Sequence, residues 1–295
     1  MRENDLDGGR TRRRRFDDDE PYVLKRRQRS TLPDEDALDQ VPYSTWDEPG
    51  VVHGPTPRPD WVVTELAAID DELGIVKTGK EAEVHLVRRA VPDGGPSCLL
   101  ASKRYRSGEH KMFHRDAGYL EGRRLRRSRE TRAMANRTAF GREVLAGQWA
   151  SAEFAALSRL WDLGAAVPYP VQLLGTELMM EFIGEPDGEA APRLAQLRPV
   201  GAELADLWRQ LLDAVVILAR AGFAHGDLSA YNLLVHRGRL ILIDLPQVVD
   251  VVANPRGADF LIRDVRNVGN WFTARGLEVD TDALTRTILA DARVR

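Results

Sequence analysis

A single cysteine, Cys98, stands in 295 residues. It has no internal partner for a disulfide, which fits a reducing compartment. No run of about 18 apolar residues occurs, so neither a spanning helix nor a membrane partner is expected. Arg12 to Arg15 are followed by Asp17 to Glu20 rather than by an apolar stretch, so no secretory signal is visible. Charge of one sign is missing as well: at a net −3, bulk electrostatics favour neither nucleic acid nor membrane. Lysine is scarce. Only five of the 42 basic residues are lysine, at 25, 77, 80, 103 and 111. Where positive charge is otherwise written as arginine, a compact ammonium on a flexible stem marks a position with its own requirement. An apolar content of 43% is ample for a core, in one large or two small domains. A soluble, cytoplasmic protein is the expectation.

What is present centres on His225-Gly226-Asp227-Leu228-Ser229-Ala230-Tyr231-Asn232. An Asp and an Asn separated by four residues, with a His two before the Asp, is the spacing of a kinase-type catalytic loop. There the Asp accepts the proton of an attacking hydroxyl and the Asn holds a magnesium ion. Leu233-Leu234-Val235 and Leu240-Ile241-Leu242-Ile243 read as two strands around a turn carrying Gly238. Such a hairpin returns Asp244 beside Asn232, so that two oxygen donors share one metal. An Asp closing a buried strand is by itself an ordinary turn former; the constellation is what points to phosphoryl transfer.

Along the chain, residues 1–60 alternate charge blocks with Pro and Gly and show no apolar period, the pattern of a disordered tail. Trp61 to Leu73 has helical apolar spacing with Gly74 as its stop. Two strands then flank a small-residue turn, Thr78-Gly79-Lys80-Glu81-Ala82, whose backbone amides can approach phosphate oxygens. Lys103 closes the next apolar strand, where kinases hold nucleotide phosphates. Residues 104–142 carry twelve Arg or Lys against four Asp or Glu. They suit a mobile segment gripping a phosphate backbone or an acidic partner, with a solvated helix as the plain alternative. Gln148 to Gly164 reads as a helix that sets Glu153 near its apolar stripe, and a buried carboxylate calls for a cation, for which Lys103 is the candidate. Leu178 to Ile183 reads as a buried strand running into a hinge at Gly184 and Pro186. Backbone groups at Glu181 and Ile183, after Met180, are placed to meet an adenine edge. Glu203 to Ala221, Ala258 to Arg275 and Asp282 to Ala292 read as amphipathic helices.

Thr78-Gly79-Lys80-Glu81-Ala82, Lys103, Trp149-Ala150 with Glu153, Met180-Glu181-Phe182-Ile183-Gly184, the 225–232 loop, Ile243-Asp244-x-x-Gln247 and Phe260-Leu261-x-x-Asp264 occur in one order. That series resembles the RIO family of atypical serine/threonine protein kinases over residues 61–275. The resemblance implies an α+β, two-lobed protein-kinase-like fold of trimmed RIO type, with a small mostly-β N-lobe (61–183) and a helical C-lobe (184–295). It implies ATP with magnesium or manganese, and a flexible loop at 104–142. Lys77 departs from the serine usual before the Thr-Gly-Lys-Glu turn, and Pro246 follows the metal-site Asp.

The function expected is an ATP-dependent serine/threonine kinase, autophosphorylating or acting on a protein substrate, or a kinase-fold ATPase. Asp227, Asn232 and Asp244 are the catalytic candidates, with Asn232 and Asp244 as metal ligands. Thr78 to Ala82, Lys103 paired with Glu153, Met180, Glu181 and Ile183 are the nucleotide candidates. The first alternative is a nucleotide-gated assembly factor on a ribosomal or other RNA-protein particle, held through 104–142. The second is a small-molecule phosphotransferase of the aminoglycoside or choline kinase type, which shares His-Gly-Asp-Leu but with a different spacer.

Overall fold

The computed structural model describes residues 42–106, 139–245, 248–251 and 253–292. The tail over residues 1–41, most of the basic 104–142 segment, Pro246 and Gln247 lie outside the described residues.

The disordered tail expected over residues 1–60 does not hold for residues 42–60, which form a strap over the outer face of a sheet. Within it, Trp46 is buried, its ring stacked on His53 at 4.0 Å between centroids, with the Arg58 guanidinium 5.1 Å from the ring centre. Strand β1 (Val52–His53) pairs antiparallel with Val171-adjacent residues, Val52 opposite Leu173 and His53 opposite Gln172. Gly54 then passes so close to Pro170 that a Cβ would lie 1.8 Å from the Pro170 carbonyl oxygen, an approach only glycine permits. One aromatic anchor on an existing sheet outweighs the ordering cost that a Pro-rich stretch cannot meet alone. Trp46→Ala is therefore expected to destabilise the fold by about 3 kcal/mol, read as a lowered urea midpoint. A midpoint unchanged from wild type would mean that the strap contributes no stability.

The helix expected over Trp61 to Leu73 is a strand in its second half. Turns run to Ala68, and β2 spans Ile69–Thr78. Leu66 and Leu73, two members of the apparent helical stripe, are 80% and 41% exposed. What fixes the strand is charge across the ladder. Asp70 accepts from both Nε and Nη2 of Arg89 (2.7 and 2.8 Å), Asp71 pairs with Arg88 (2.9 Å), and Glu72 meets His85 and Arg104 (2.8 Å each). A single-strand reading of periodicity does not contain those partners.

β2 turns into β3 (Ala82–Ala90), which pairs with β4 (Ser97–Tyr105). Helix α1 (Ala139–Asp162) crosses beneath the sheet, and β5 (Pro170–Leu174) and β6 (Glu177–Glu181) complete it. The strand order is β1-β5-β6-β4-β3-β2, all neighbours antiparallel. Along the strands, residues alternate between two faces. Val87, Leu100 and Met179 turn outward under Trp46 and Tyr169, while Ala82, Tyr105 and Leu178 turn inward onto Trp149, Phe154 and Leu157 of α1.

After Gly184 the chain becomes helical. Helix α2 (Gly201–Arg220) buries Leu204, Leu207, Leu211, Val215 and Leu218, and Gly222 at φ +80° stops it. A short strand β7 (Phe223–Ala224) delivers the 225–232 loop, whose last three residues form a 3-10 turn. The hairpin of β8 (Leu233–His236) and β9 (Arg239–Leu242) follows, with Leu233 opposite Leu242. Strand β10 (Val249–Asp250) pairs back to β7, and α3 (Gly257–Thr273) and α4 (Thr281–Asp291) close the lobe. The result is the expected α+β, two-lobed arrangement, with the β8–β9 hairpin and β4 facing each other across the junction. No helix of the described residues is long and apolar enough to cross a membrane.

Candidate active site

Lys103 lies near the end of β4, paired with Val84 on one side and Leu178 on the other, so its side chain is fixed on the inner face. Helix α1 lies across that face and presents Glu153, buried to 1% exposure. The Lys103 ammonium donates to Glu153 Oε1 at 2.8 Å and to Asp244 Oδ1 at 2.7 Å. Glu153 also accepts the Leu245 amide at 3.0 Å and, on its other oxygen, the Tyr105 hydroxyl. One carboxylate from the helix thus gathers the end of β4 and the segment after β9 into one cluster.

The electrostatics follow from that cluster. The Lys103 ammonium, helped by its hydrogen bond, holds the Asp244 carboxyl well below the usual carboxylate range against the penalty of burial. For Lys103, burial is the largest influence and opposes the charge, yet Asp244 and Glu153 together raise it above the ordinary lysine value. Burial, then Glu153, pushes the Tyr105 hydroxyl well up, so it remains a donor. Asp244 itself sits at φ +65°, left-handed backbone that costs a non-glycine residue about 1 kcal/mol. It is held there by the ion pair on its side chain and by its two neighbours. The Ile243 amide donates to the Asn232 carbonyl at 3.1 Å, and the Leu245 amide donates to Glu153.

On the other wall, the Asp227 carboxylate is exposed while its backbone is held on all sides. Asn232 is buried, and its Nδ2 donates to the Asp227 carbonyl at 2.9 Å, which leaves its Oδ1 as an acceptor directed elsewhere. His225, fully buried, contacts the Ile243 carbonyl through Nε2 at 3.1 Å. Asp264 of α3 accepts from the amides of Gly226 (2.8 Å) and Leu228 (3.1 Å), and Arg263 donates to the Gly226 carbonyl. Burial, the largest influence on it, raises the Asp264 carboxyl against His225 and those amides.

Of the residues singled out from sequence, Lys103 touches both Glu153 and Asp244, and Asn232 joins Asp227 to the Asp244 segment, its side-chain amide donating to the Asp227 carbonyl and its own carbonyl accepting from Ile243. The Thr78–Ala82 turn is closed by a Gly79 amide to Ala82 carbonyl bond of 2.9 Å; Thr78, Lys80 and Glu81 are exposed and Ala82 is buried. Met180 packs into the inner core. The Glu181 amide is spent on the Tyr169 carbonyl (2.8 Å), and the Ile183 carbonyl accepts from Ala191 (2.9 Å). Tyr105, the Leu245 amide and the anchoring role of Asp264 were not assigned from sequence. Asp264 did carry a signal: a carboxylate on the apolar stripe of α3, flanked by Leu261, Val265 and Val268. Among the described residues no cluster of three or more His, Cys, Asp or Glu side chains forms a metal cage. The backbone bond from the Ile243 amide to the Asn232 carbonyl ties the segments of Asn232 and Asp244 together, and their side chains are oxygen donors of the kind a hard cation takes beside waters and phosphate oxygens.

Comparison with known proteins places this arrangement. The profile of the RIO domain matches residues 100–284. The RIO-type serine/threonine-protein kinase Rio1 of Haloferax volcanii is 37% identical over 224 residues, 76% of this chain and 70% of its own. Serine/threonine-protein kinase RIO1 of Chaetomium thermophilum is 30% identical over 233 residues, again 76% of this chain but 43% of its own length. Among solved structures, the Rio2 kinase–ADP/Mg2+–phosphoaspartate complex from Chaetomium thermophilum superposes with a TM-score of 0.52 at 22% identity, covering 74% of this chain and 62% of that one. The structural likeness carries the fold; the profile and the archaeal relative carry the lineage. On both counts the chain belongs to the RIO family, whose members here are serine/threonine-protein kinases.

Proposed function

We propose that this cleft transfers the γ-phosphoryl group of ATP to a serine or threonine hydroxyl, on a protein substrate or on the chain itself. The observation that carries the reading is the buried Lys103 ammonium, held between Glu153 and Asp244 opposite a loop whose Asn232 is locked to the Asp227 backbone. Asp227 accepts the hydroxyl proton as the oxygen attacks the γ-phosphorus, and the bond to the bridging oxygen breaks to release ADP. Lys103 clamps the phosphates from the β4 side. The Glu181 carbonyl and Ile183 amide, whose companion groups are already spent, meet the adenine edge. Asn232 Oδ1 and the outer oxygen of Asp244 would hold magnesium or manganese, which when bound neutralises phosphate charge. Positioning and electrostatics are what this chemistry asks of a protein, and those are what the cluster provides.

A second acceptor is favoured by one observation, the ionised Asp244 carboxylate at the clamp, and by the phosphoaspartate of the solved relative. Attack of Asp244 on the γ-phosphorus would give an acyl phosphate and ADP, and water would then hydrolyse it, which makes an ATPase cycle. An RNA or ribosomal particle as partner rests on the basic composition of 104–142 and a cytoplasmic setting on the single cysteine; both remain part of this proposal. Incubation with γ-labelled ATP and magnesium tests the reading. Acid-stable label is expected for hydroxyl transfer and hydroxylamine-labile label for the carboxylate. Neither label nor ADP release would sink both.

A further inference from the structure

We propose that Lys77 supplies a second ammonium to the terminal phosphates of the nucleotide, reaching in from β2 opposite Lys103. This deepens the phosphotransferase reading above and rests on it. Three residues form one cross-strand row: Lys77 is paired with Val84 on β3, and Val84 is paired with Lys103 on β4. Directly paired residues face the same side of an antiparallel sheet. The side is fixed by Lys103, whose ammonium touches Glu153 and Asp244, so Lys77 also opens toward the cleft. Two strand spacings separate the stems by ~10 Å, a gap that two four-carbon side chains and a triphosphate can bridge.

Charge balance gives the residue its purpose. One ammonium, Lys103, is shared by two carboxylates, Glu153 and Asp244. That floor repels a polyanion. A further cation on the same face, in the row of Lys77, Val84 and Lys103, offsets the excess. Lys77 is half-buried at the base of the Thr78–Ala82 turn, whereas Lys80 is exposed within it. A cation at the less solvated position is screened less and acts more strongly on a nearby phosphate.

Calorimetric titration of ATP and of adenosine into wild type, Lys77→Gln and Lys77→Arg tests the assignment. Lys77→Gln is expected to weaken ATP about tenfold while leaving adenosine unchanged, and Lys77→Arg to recover most of the loss. ATP bound by Lys77→Gln as tightly as by wild type would overturn the assignment. Equal losses for ATP and adenosine would overturn it too, since Lys77 would then shape the purine site rather than the phosphate site. Failure of the wild-type chain to bind ATP at all would instead remove the phosphotransferase reading, and this inference with it.

Discussion

Asp227→Ala is expected to slow phosphoryl transfer by about a thousandfold while leaving nucleotide affinity and thermal stability near wild type. General-base catalysis contributes on the order of 10²–10⁴ in rate. A large share of that goes when the proton acceptor is truncated, because the transfer asks for little other covalent help. The stability half of the expectation comes from the geometry. The fold uses the Asp227 backbone: its carbonyl accepts from Asn232 Nδ2 at 2.9 Å, and its amide lies 3.4 Å from His225 Nδ1. Alanine keeps both groups, and the lost carboxylate is exposed. Single-turnover transfer from labelled ATP, beside a melting curve, separates the two halves. Wild-type transfer in the variant would remove Asp227 from the chemistry. A melting point lowered by many degrees would make it a structural residue instead.

The parts of this site legible in the sequence are those carried by short spacing. The interval from Asp227 to Asn232 and the hairpin that returns Asp244 are local, so a turn and two strands are enough to foresee them. Lys103 and Glu153 are 50 residues apart, yet their meeting at 2.8 Å could be anticipated from burial alone: a carboxylate on an apolar stripe needs a cation, and lysine is scarce in this chain. Three things were not legible for physical reasons. The first half of β2, Ile69 to Leu73, was hidden because its stability lies in Arg88, Arg89 and Arg104, which belong to other strands, whereas the strand at Ile75-Val76 was legible. The strap at 42–60 was hidden because Trp46 has no apolar partners within its own segment; its cluster mates Leu100, Tyr169 and Met179 come from three distant places. The row from Lys77 to Lys103 was hidden because β-register, with an irregularity between Ile75 and Lys77, is set by pairing rather than by composition.

The other large effect belongs to Lys103→Met, which is expected to cost about 3–5 kcal/mol of stability as well as abolishing transfer. Methionine fills similar volume, so the loss is electrostatic: a carboxylate at 1% exposure keeps the Tyr105 hydroxyl and Leu245 amide as donors but loses its counter-charge. Breaking a buried pair by removing one partner is worth about that much. The pH dependence carries the sign. Asp244 has its folded pKa depressed by Lys103, so its contribution is complete above the ordinary value of 3.8 and fades as pH falls below it. Lys103 has its folded pKa raised, so its contribution is complete below 10.5 and fades as pH rises beyond it. The stability gap between wild type and Lys103→Met should therefore be flat from about pH 5 to 9 and narrow on acidification below about pH 4. Urea denaturation at each pH measures it. A gap that widens toward low pH would contradict the ion cluster, and a gap near zero throughout would mean that Lys103 is solvated rather than held between Glu153 and Asp244.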